Sequence, residues 1–356
     1  MTPAPSITTR LRITLAIGFT TVLASALAAA PATAAPTAEA STTAASTTAA
    51  RAGAHGATAD AGALPAAVAL PTVQRGVDGN RGAGTSGAAG TGKAGPGGSR
   101  FDAGGLPPAT DGGSVGIQSV IGADNRVRVD PTTVFPSSAI VQIVRTTGGT
   151  TWGCTGWLYG PSIIATAGHC VHPGGGQNGG GGNNFYPRGD FQIIPGRNGT
   201  ATPYGTCTAT QLLSVNGWTQ NGDETYDYGA IRLSCAAGNS TGWFGLWWQG
   251  ATLTGTASTV SGYPCDKTFG QQWRHAGQTV QVTHDRQVFY QNDTFGCQSG
   301  SPVYQTRAAG SSFCTGQCVL AIHAYGLHGS SPHSTNNHGT RITESVFNNL
   351  ITWRNG

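Results

Sequence analysis

Charge is scarce in this sequence. Of its 356 residues only 10% are Asp, Glu, Lys or Arg, against roughly 25% in an average soluble domain. That excludes a long coiled coil, whose heptads need Glu and Lys, and an acidic or basic polyelectrolyte tail. The first 118 residues lack cysteine. Residues 35–118 nearly lack aromatic side chains, Phe101 being the single one. Glycine is plentiful, at 56, but shows no three-residue period, so a collagen-like chain is out. There is no internal repeat and no Cys-x-x-Cys pair.

What is present divides the chain. Arg10 and Arg12 precede an uncharged run over 13–30, and Ala32-Thr33-Ala34 follows as a small-x-small cleavage site. This is the pattern of a secretory signal peptide, so residues 1–34 are expected to be removed and the product secreted. The uncharged stretch reaches Ala38, and its length leaves a membrane anchor as the alternative. Its Ala, Thr and Ser content favours the signal, and no membrane contact is expected after its removal. Residues 35–118 are mostly Ala, Gly, Thr and Ser. Such a segment buries too little apolar area to offset its chain entropy, and it reads as a disordered pro-segment. From residue 119 onward Val, Ile, Trp, Tyr and Phe recur. This part carries 12 cationic and 10 acidic residues without a basic cluster, so nucleic acid is not an expected partner. A monomer is the default. The 8 cysteines, all between 154 and 318, point to disulfides rather than zinc in a secreted chain. Spacing alone does not choose their pairing.

Short apolar or alternating segments at 139–144, 162–165, 191–194, 207–214, 230–233, 258–261, 279–283, 288–291, 302–304 and 318–323 read as strands between Gly, Pro, Asn and Ser clusters. Many strands at this spacing mean an all-β sandwich or barrel. Val346, Phe347, Leu350 and Ile351 instead recur at helical spacing after Thr343, a candidate N-cap, with Glu344 early and Arg354 late. Glycines at 174–176 and 179–182 mark a loop insertion.

Three short stretches carry chemistry. Ala165-Thr166-Ala167-Gly168-His169-Cys170 ends an apolar strand in an imidazole, a group suited to general-base work. Alone, such a His is more often structural. Tyr226-Asp227-Tyr228-Gly229-Ala230-Ile231 puts a carboxylate at a strand start, where it can fix an imidazole tautomer or simply serve a turn. Gly296-Cys297-Gln298-Ser299-Gly300-Ser301-Pro302 can expose a Ser hydroxyl with backbone N–H groups beside it. It does not fit Gly-x-Ser-x-Gly, because Cys297 and Ser301 stand at the glycine positions. The order His169, Asp227, Ser299 is that of the chymotrypsin-like proteases and not of the other triad folds; a lipase or esterase fails on this order.

The resemblance narrows further. Cys154-Thr155-Gly156-Trp157, Pro195-Gly196-Arg197-Asn198-Gly199-Thr200, Ser261-Gly262-Tyr263-Pro264, Asp293-Thr294-Phe295-Gly296, Cys314-Thr315-Gly316-Gln317-Cys318 and Gly339-Thr340-Arg341-Ile342-Thr343 resemble segments of the bacillary glutamyl endopeptidases. The similarity covers nearly all of 119–356 and none of 35–118. It implies an all-β fold of two antiparallel six-stranded β-barrels, over 119–245 and 246–356, with a C-terminal α-helix. It implies a serine endopeptidase acting on polypeptides without a cofactor, and no metal ligands are singled out. Ser299 is the expected nucleophile, His169 the base and Asp227 its orienter, with the N–H groups of Cys297 and Ser299 as oxyanion hole.

The same resemblance matches His323 and Thr294 to the pair that reads a glutamate side chain. As a strand residue, His323 could equally be a buried structural ring. Asp293 lies where trypsin-like enzymes hold the carboxylate that attracts Arg or Lys. It is expected to point away from the pocket, with cleavage after Arg or Lys as the runner-up and an inactive protease-fold binding module as a third reading. Cys297 replaces a family glycine, as does Cys265, which implies a Cys265–Cys297 bridge. Cys207 with Cys235 forms the other added pair, and family precedent implies Cys154–Cys170 and Cys314–Cys318. Ser119-Val120-Ile121-Gly122 resembles the family's mature start, so the freed Ser119 amino group is expected near the acid-recognition pocket.

Overall fold

The computed structural model describes residues 70–76, 81–92, 110–111, 119–175 and 184–356. The signal region, Gln118, the Gly-rich insertion over 176–183 and most of 35–118 lie outside the described residues. Three strands precede the body: β1 (Gln74–Arg75), β2 (Gly82–Thr85) and β3 (Thr110–Asp111). The short β4 (Val127–Arg128) follows. Next come β5 (Ile140–Thr147), β6 (Thr150–Gly160), β7 (Ile163–Thr166), β8 (Phe191–Pro195), β9 (Cys207–Ser214) and β10 (Gly229–Leu233). These six pair in the order β6-β5-β8-β9-β10-β7, and β7 returns to β6. That closure makes the first antiparallel barrel.

The chain then forms β11 (Gly245–Gln249), β12 (Ala257–Gly262), β13 (Trp273–Thr283), β14 (Gln287–Tyr290), β15 (Pro302–Arg307), β16 (Gly316–Tyr325) and β17 (Asn337–Arg341). Six of them run β16-β15-β12-β13-β14-β17, and a β16–β17 pairing closes the second barrel. Helices are few among the described residues: α1 (Asn216–Thr219), α2 (Gly238–Thr241) and α3 (Glu344–Asn355). No helix among the described residues is long and apolar enough to cross a membrane.

Local sequence explains the joints. β5 and β6 meet through Gly148 and Gly149, both at positive φ, 57° and 82°. Only a two-residue turn of that hand matches the strand twist, and glycine adopts it without strain. Thr343 caps α3 by accepting from the Val346 N–H. Val346, Phe347 and Leu350 are buried, while Arg232 donates to the Trp353 carbonyl at 2.6 Å and Asn349 to the Tyr228 hydroxyl at 2.7 Å. The last helix therefore packs back on the first barrel and ties both ends of the body together.

The stretch expected to lack structure contributes three strands, β1, β2 and β3. β2 pairs antiparallel with β11, which itself lies beside β16. Every residue of β2 is buried. A Cβ on Gly84 would meet the Phe313 carbonyl at 2.6 Å, and one on Gly87 the Trp243 carbonyl at 2.2 Å. Composition misleads here, because a strand added to an existing sheet edge borrows the partner's apolar surface. It needs backbone hydrogen bonds and small side chains rather than a core of its own. Gly84→Val is expected to expel this strand and leave the barrels intact. Limited proteolysis should then cut residues 70–92 at least about tenfold faster than in the natural chain; equal rates would contradict the docking.

Candidate active site

The imidazole of His169 stands on a short turn, Gly168–Cys170, directly after β7. A Cβ on Gly168 would lie 2.8 Å from the Trp218 ring and 2.9 Å from Asp227 Oδ1, so only glycine lets the carboxylate approach this closely. Asp227 is fully buried between the turn Glu224–Tyr226 and β10. Its Oδ1 accepts the His169 backbone N–H at 2.8 Å, and its Oδ2 lies 2.7 Å from His169 Nδ1. Both carboxylate oxygens face one residue, and Thr340 Oγ1 donates to the Asp227 carbonyl at 3.0 Å from the second barrel. A proton on Nδ1 satisfies Oδ2 and leaves Nε2 as the basic nitrogen.

Ser299 belongs to the turn before β15. The Thr155 N–H donates to its carbonyl at 2.9 Å, and Cys170 Sγ lies 3.7 Å from the same oxygen. The second barrel thus brings Ser299 beside the His169 turn of the first. Gly300 has φ 88°, and a Cβ there would meet the Thr155 carbonyl at 2.1 Å. Position 300 therefore must be glycine for the turn to enter the groove. Cys297 holds φ 73° although it has a Cβ. Such a conformation costs on the order of 1–3 kcal/mol, and two contacts impose it: the bond to Cys265 and the Thr155 Oγ1 donation to the Cys297 carbonyl at 3.0 Å. The other pairs are Cys154–Cys170, Cys207–Cys235 and Cys314–Cys318.

The neighbouring residues sort by partner. Asp293 is buried, and its two oxygens accept the N–H groups of Ile121 and Asn125, each at 2.9 Å. Its own N–H donates to His275 Nδ1 at 2.7 Å. Thr294 is fully buried, yet its hydroxyl has no hydrogen-bond partner among the described residues. His323, also buried, has Nδ1 2.7 Å from the Tyr290 hydroxyl. Burial keeps the Tyr290 proton in place well above its ordinary range, so this hydroxyl can donate to Nδ1 and leave a proton on Nε2. The Gly300 N–H donates to the His323 carbonyl at 2.7 Å, and the His323 N–H to that of Ser301 at 2.9 Å. Ser119 is buried, and its carbonyl accepts from the Thr294 N–H at 3.1 Å and from Asn337 at 2.5 Å.

Sequence reasoning missed Arg126. Its buried guanidinium pairs with Asp124 at 2.8 Å and Asp266 at 2.5 Å, which holds the Asp124 carboxyl well below its usual range, against a smaller opposing effect of burial. Asp266 adjoins Cys265, so this cluster fastens the N-terminal segment to the bridge at Cys297. Tyr290, His275 and Thr340 were missed too. Each looks like an ordinary strand residue until the fold supplies its partner.

Burial lowers the pKa of His323 to about 3. An unfolded His titrates near 6.5, so between those values the unfolded chain binds the proton more readily. The stability due to this neutral ring is complete above about pH 6.5 and drains away as the pH falls toward 3. The thermal midpoint is expected to drop across that window, and to drop less in His323→Asn; parallel profiles for the two chains would contradict it.

Two barrels with a His, an Asp and a Ser gathered at their junction form the architecture of the chymotrypsin-like serine proteases. The chain belongs to the Trypsin family, whose profile matches residues 125–351. It is 44% identical over 239 residues to the Glutamyl endopeptidase of Bacillus licheniformis, covering 67% of this chain and 70% of that one. It is 42% identical over 240 residues to the Extracellular metalloprotease of Bacillus subtilis, with the same two coverages, 67% and 70%. Among solved structures, a Glu endopeptidase in complex with MPD superposes with a TM-score of 0.52 at 27% identity, covering 67% of this chain and all of that one. The chain is accordingly a serine endopeptidase related to the glutamyl endopeptidases, acting on polypeptides.

Proposed function

We propose that this chain is secreted and cleaves peptide bonds after Glu, and less readily after Asp, by a Ser299–His169–Asp227 triad. Ser299 Oγ attacks the carbonyl while His169 Nε2 takes its proton and later delivers it to the leaving amine. Asp227 holds the tautomer and stabilises the imidazolium. The N–H groups of Cys297 and Ser299 receive the oxyanion, where one donor typically contributes about 3 kcal/mol.

One contrast within a single loop carries the specificity. Asp293 has both oxygens taken by the segment 121–125, while the next residue, Thr294, keeps a buried hydroxyl without a partner among the described residues. A carboxylate turned to the amides of 121–125 is less available to Arg or Lys, whereas an unsatisfied buried donor favours a ligand that accepts from it. The Thr294 hydroxyl and His323 Nε2–H together suit a glutamate carboxylate. With its basicity depressed, His323 acts as a neutral donor. Thr294→Val is expected to lower kcat/KM for a Glu peptide by about 10–100-fold, the range for one hydrogen bond to a charged group. A peptide assay that finds the Glu rate unchanged would remove Thr294 from the pocket.

Removal of residues 35–118 completes the site by freeing the Ser119 amino group beside Thr294. A chain that keeps Gln118 and is nonetheless fully active would contradict this maturation step.

A further inference from the structure

A second cluster of chemistry-bearing side chains lies outside the triad. Glu224 begins the turn Glu224–Tyr226 that leads into Asp227. His328 and His333 sit on the loop between β16 and β17, and His338 lies in β17. The His328 N–H donates to the His333 carbonyl at 3.1 Å, which folds the loop back on itself. Glu224 Oε1 is 3.3 Å from His333 Nε2, and Glu224 Oε2 is 3.5 Å from His328 Nε2. The three imidazoles crowd together with ring centroids 4.7, 4.9 and 5.1 Å apart.

The decisive residue is His338. It is fully buried, and neither ring nitrogen has a hydrogen-bond partner among the described residues. The Asn336 carbonyl acts weakly on the ring but makes no hydrogen bond with it. A neutral imidazole always carries one N–H and one lone pair, so leaving both unmatched in the interior costs free energy. Apolar packing does not remove that cost, even with Phe289 and Tyr325 stacked on the ring at 5.2 and 5.3 Å. A cation that accepts the imidazole lone pair removes the share due to that nitrogen.

We propose that Glu224, His333 and His338, with His328 beside them, form a binding site for a borderline divalent transition metal of the zinc type. One ligand atom from each of the first three residues lies within 4.8 Å of the other two. In a tetrahedral zinc site, bonds of about 2.0–2.1 Å place neighbouring ligand atoms about 3.3 Å apart. The Glu224–His333 edge already has that length, at 3.3 Å. Imidazole with one carboxylate suits zinc, copper or nickel, whereas calcium and magnesium require oxygen ligands. Gln287 Nε2 donates to Glu224 Oε1 at 3.1 Å and orients the carboxylate, as outer-sphere partners do at metal sites.

The site joins the two barrels. Glu224 belongs to the Asp227 turn and the histidines to the second barrel, and Tyr325, stacked on His338, also lies against the His169 ring at 6.0 Å. A bound ion therefore braces the carboxylate end of the catalytic groove without touching the reacting atoms. Sequence spacing did not reveal it, because the carboxylate is remote from the histidines in the chain.

The test uses the untagged full chain, stripped with a chelator and titrated with zinc chloride by calorimetry. One saturable site per chain is expected, with a raised thermal midpoint, and calcium chloride should produce neither. Cobalt(II) in its place should give the visible absorption of a tetrahedral site. His333→Ala and Glu224→Gln, both at partly exposed positions, should each weaken zinc binding at least about tenfold while circular dichroism stays unchanged. Absence of saturable zinc binding would overturn the proposal. So would undiminished binding in both variants, which would place the ion on other histidines.

Discussion

Replacing Ser299 by Ala is expected to lower turnover by about a million-fold while the chain stays folded and still binds peptide, because triad members act as one unit. The structure makes this a clean substitution. The Ser299 carbonyl, not its side chain, holds the turn to Thr155, so the backbone position survives loss of the hydroxyl. Circular dichroism and the thermal midpoint should match the natural chain. Activity-based labelling with a fluorophosphonate should vanish with the hydroxyl. A Ser299→Ala chain that retains more than about a thousandth of the rate would mean that another group attacks the peptide.

Asp227→Asn should cost about ten-thousand-fold in kcat with little change in KM, and the geometry dictates why. Oδ1 accepts the His169 backbone N–H at 2.8 Å. An Asn side chain can preserve that contact only by turning its carbonyl oxygen toward the N–H. Its NH2 group then faces His169 Nδ1, where Oδ2 now sits at 2.7 Å. A donor opposite Nδ1 makes that nitrogen the acceptor and places the ring proton on Nε2. The imidazole then has no lone pair for the Ser299 proton. The prediction is a folded protein with the wrong tautomer, visible as an inverted Nδ1/Nε2 pattern in nitrogen NMR of the ring. A loss below about tenfold would mean that Asp227 does not orient the base.

Much of this was legible in one dimension. His169, Asp227 and Ser299 each sit in a short motif at a strand end or turn, and their chain order allows few folds. α3 was readable because its apolar period and Thr343 cap agree. β17 was not readable as a strand. Its residues Asn337, Thr340 and Arg341 are polar but buried, because they serve as staples. Asn337 donates to Ser119 and Asn292, Thr340 to Asp227, and Arg341 to the carbonyls of Gln249 and Ala251. β6 was hidden by its glycines. A Cβ on Gly156 would meet the Ala165 carbonyl at 3.0 Å, so tight strand packing erased the alternation that marks a strand. β2 was hidden because its burial belongs to its partners. In each case the missing information is a contact made far away in the chain. The same holds for Asp293, whose orientation depends on the amides of Ile121 and Asn125.

The most direct test of the central claim is a map of cut sites. A denatured protein of known sequence is digested with the chain trimmed to begin at Ser119, and the fragments are identified by mass spectrometry. Cleavage after Glu, with fewer cuts after Asp, is the result this account predicts, since it requires Thr294 and His323 to face the substrate and Asp293 to stay with residues 121–125. Cleavage after Arg and Lys would contradict it. That outcome would put the Asp293 carboxylate in the pocket, free of the two amides that hold it.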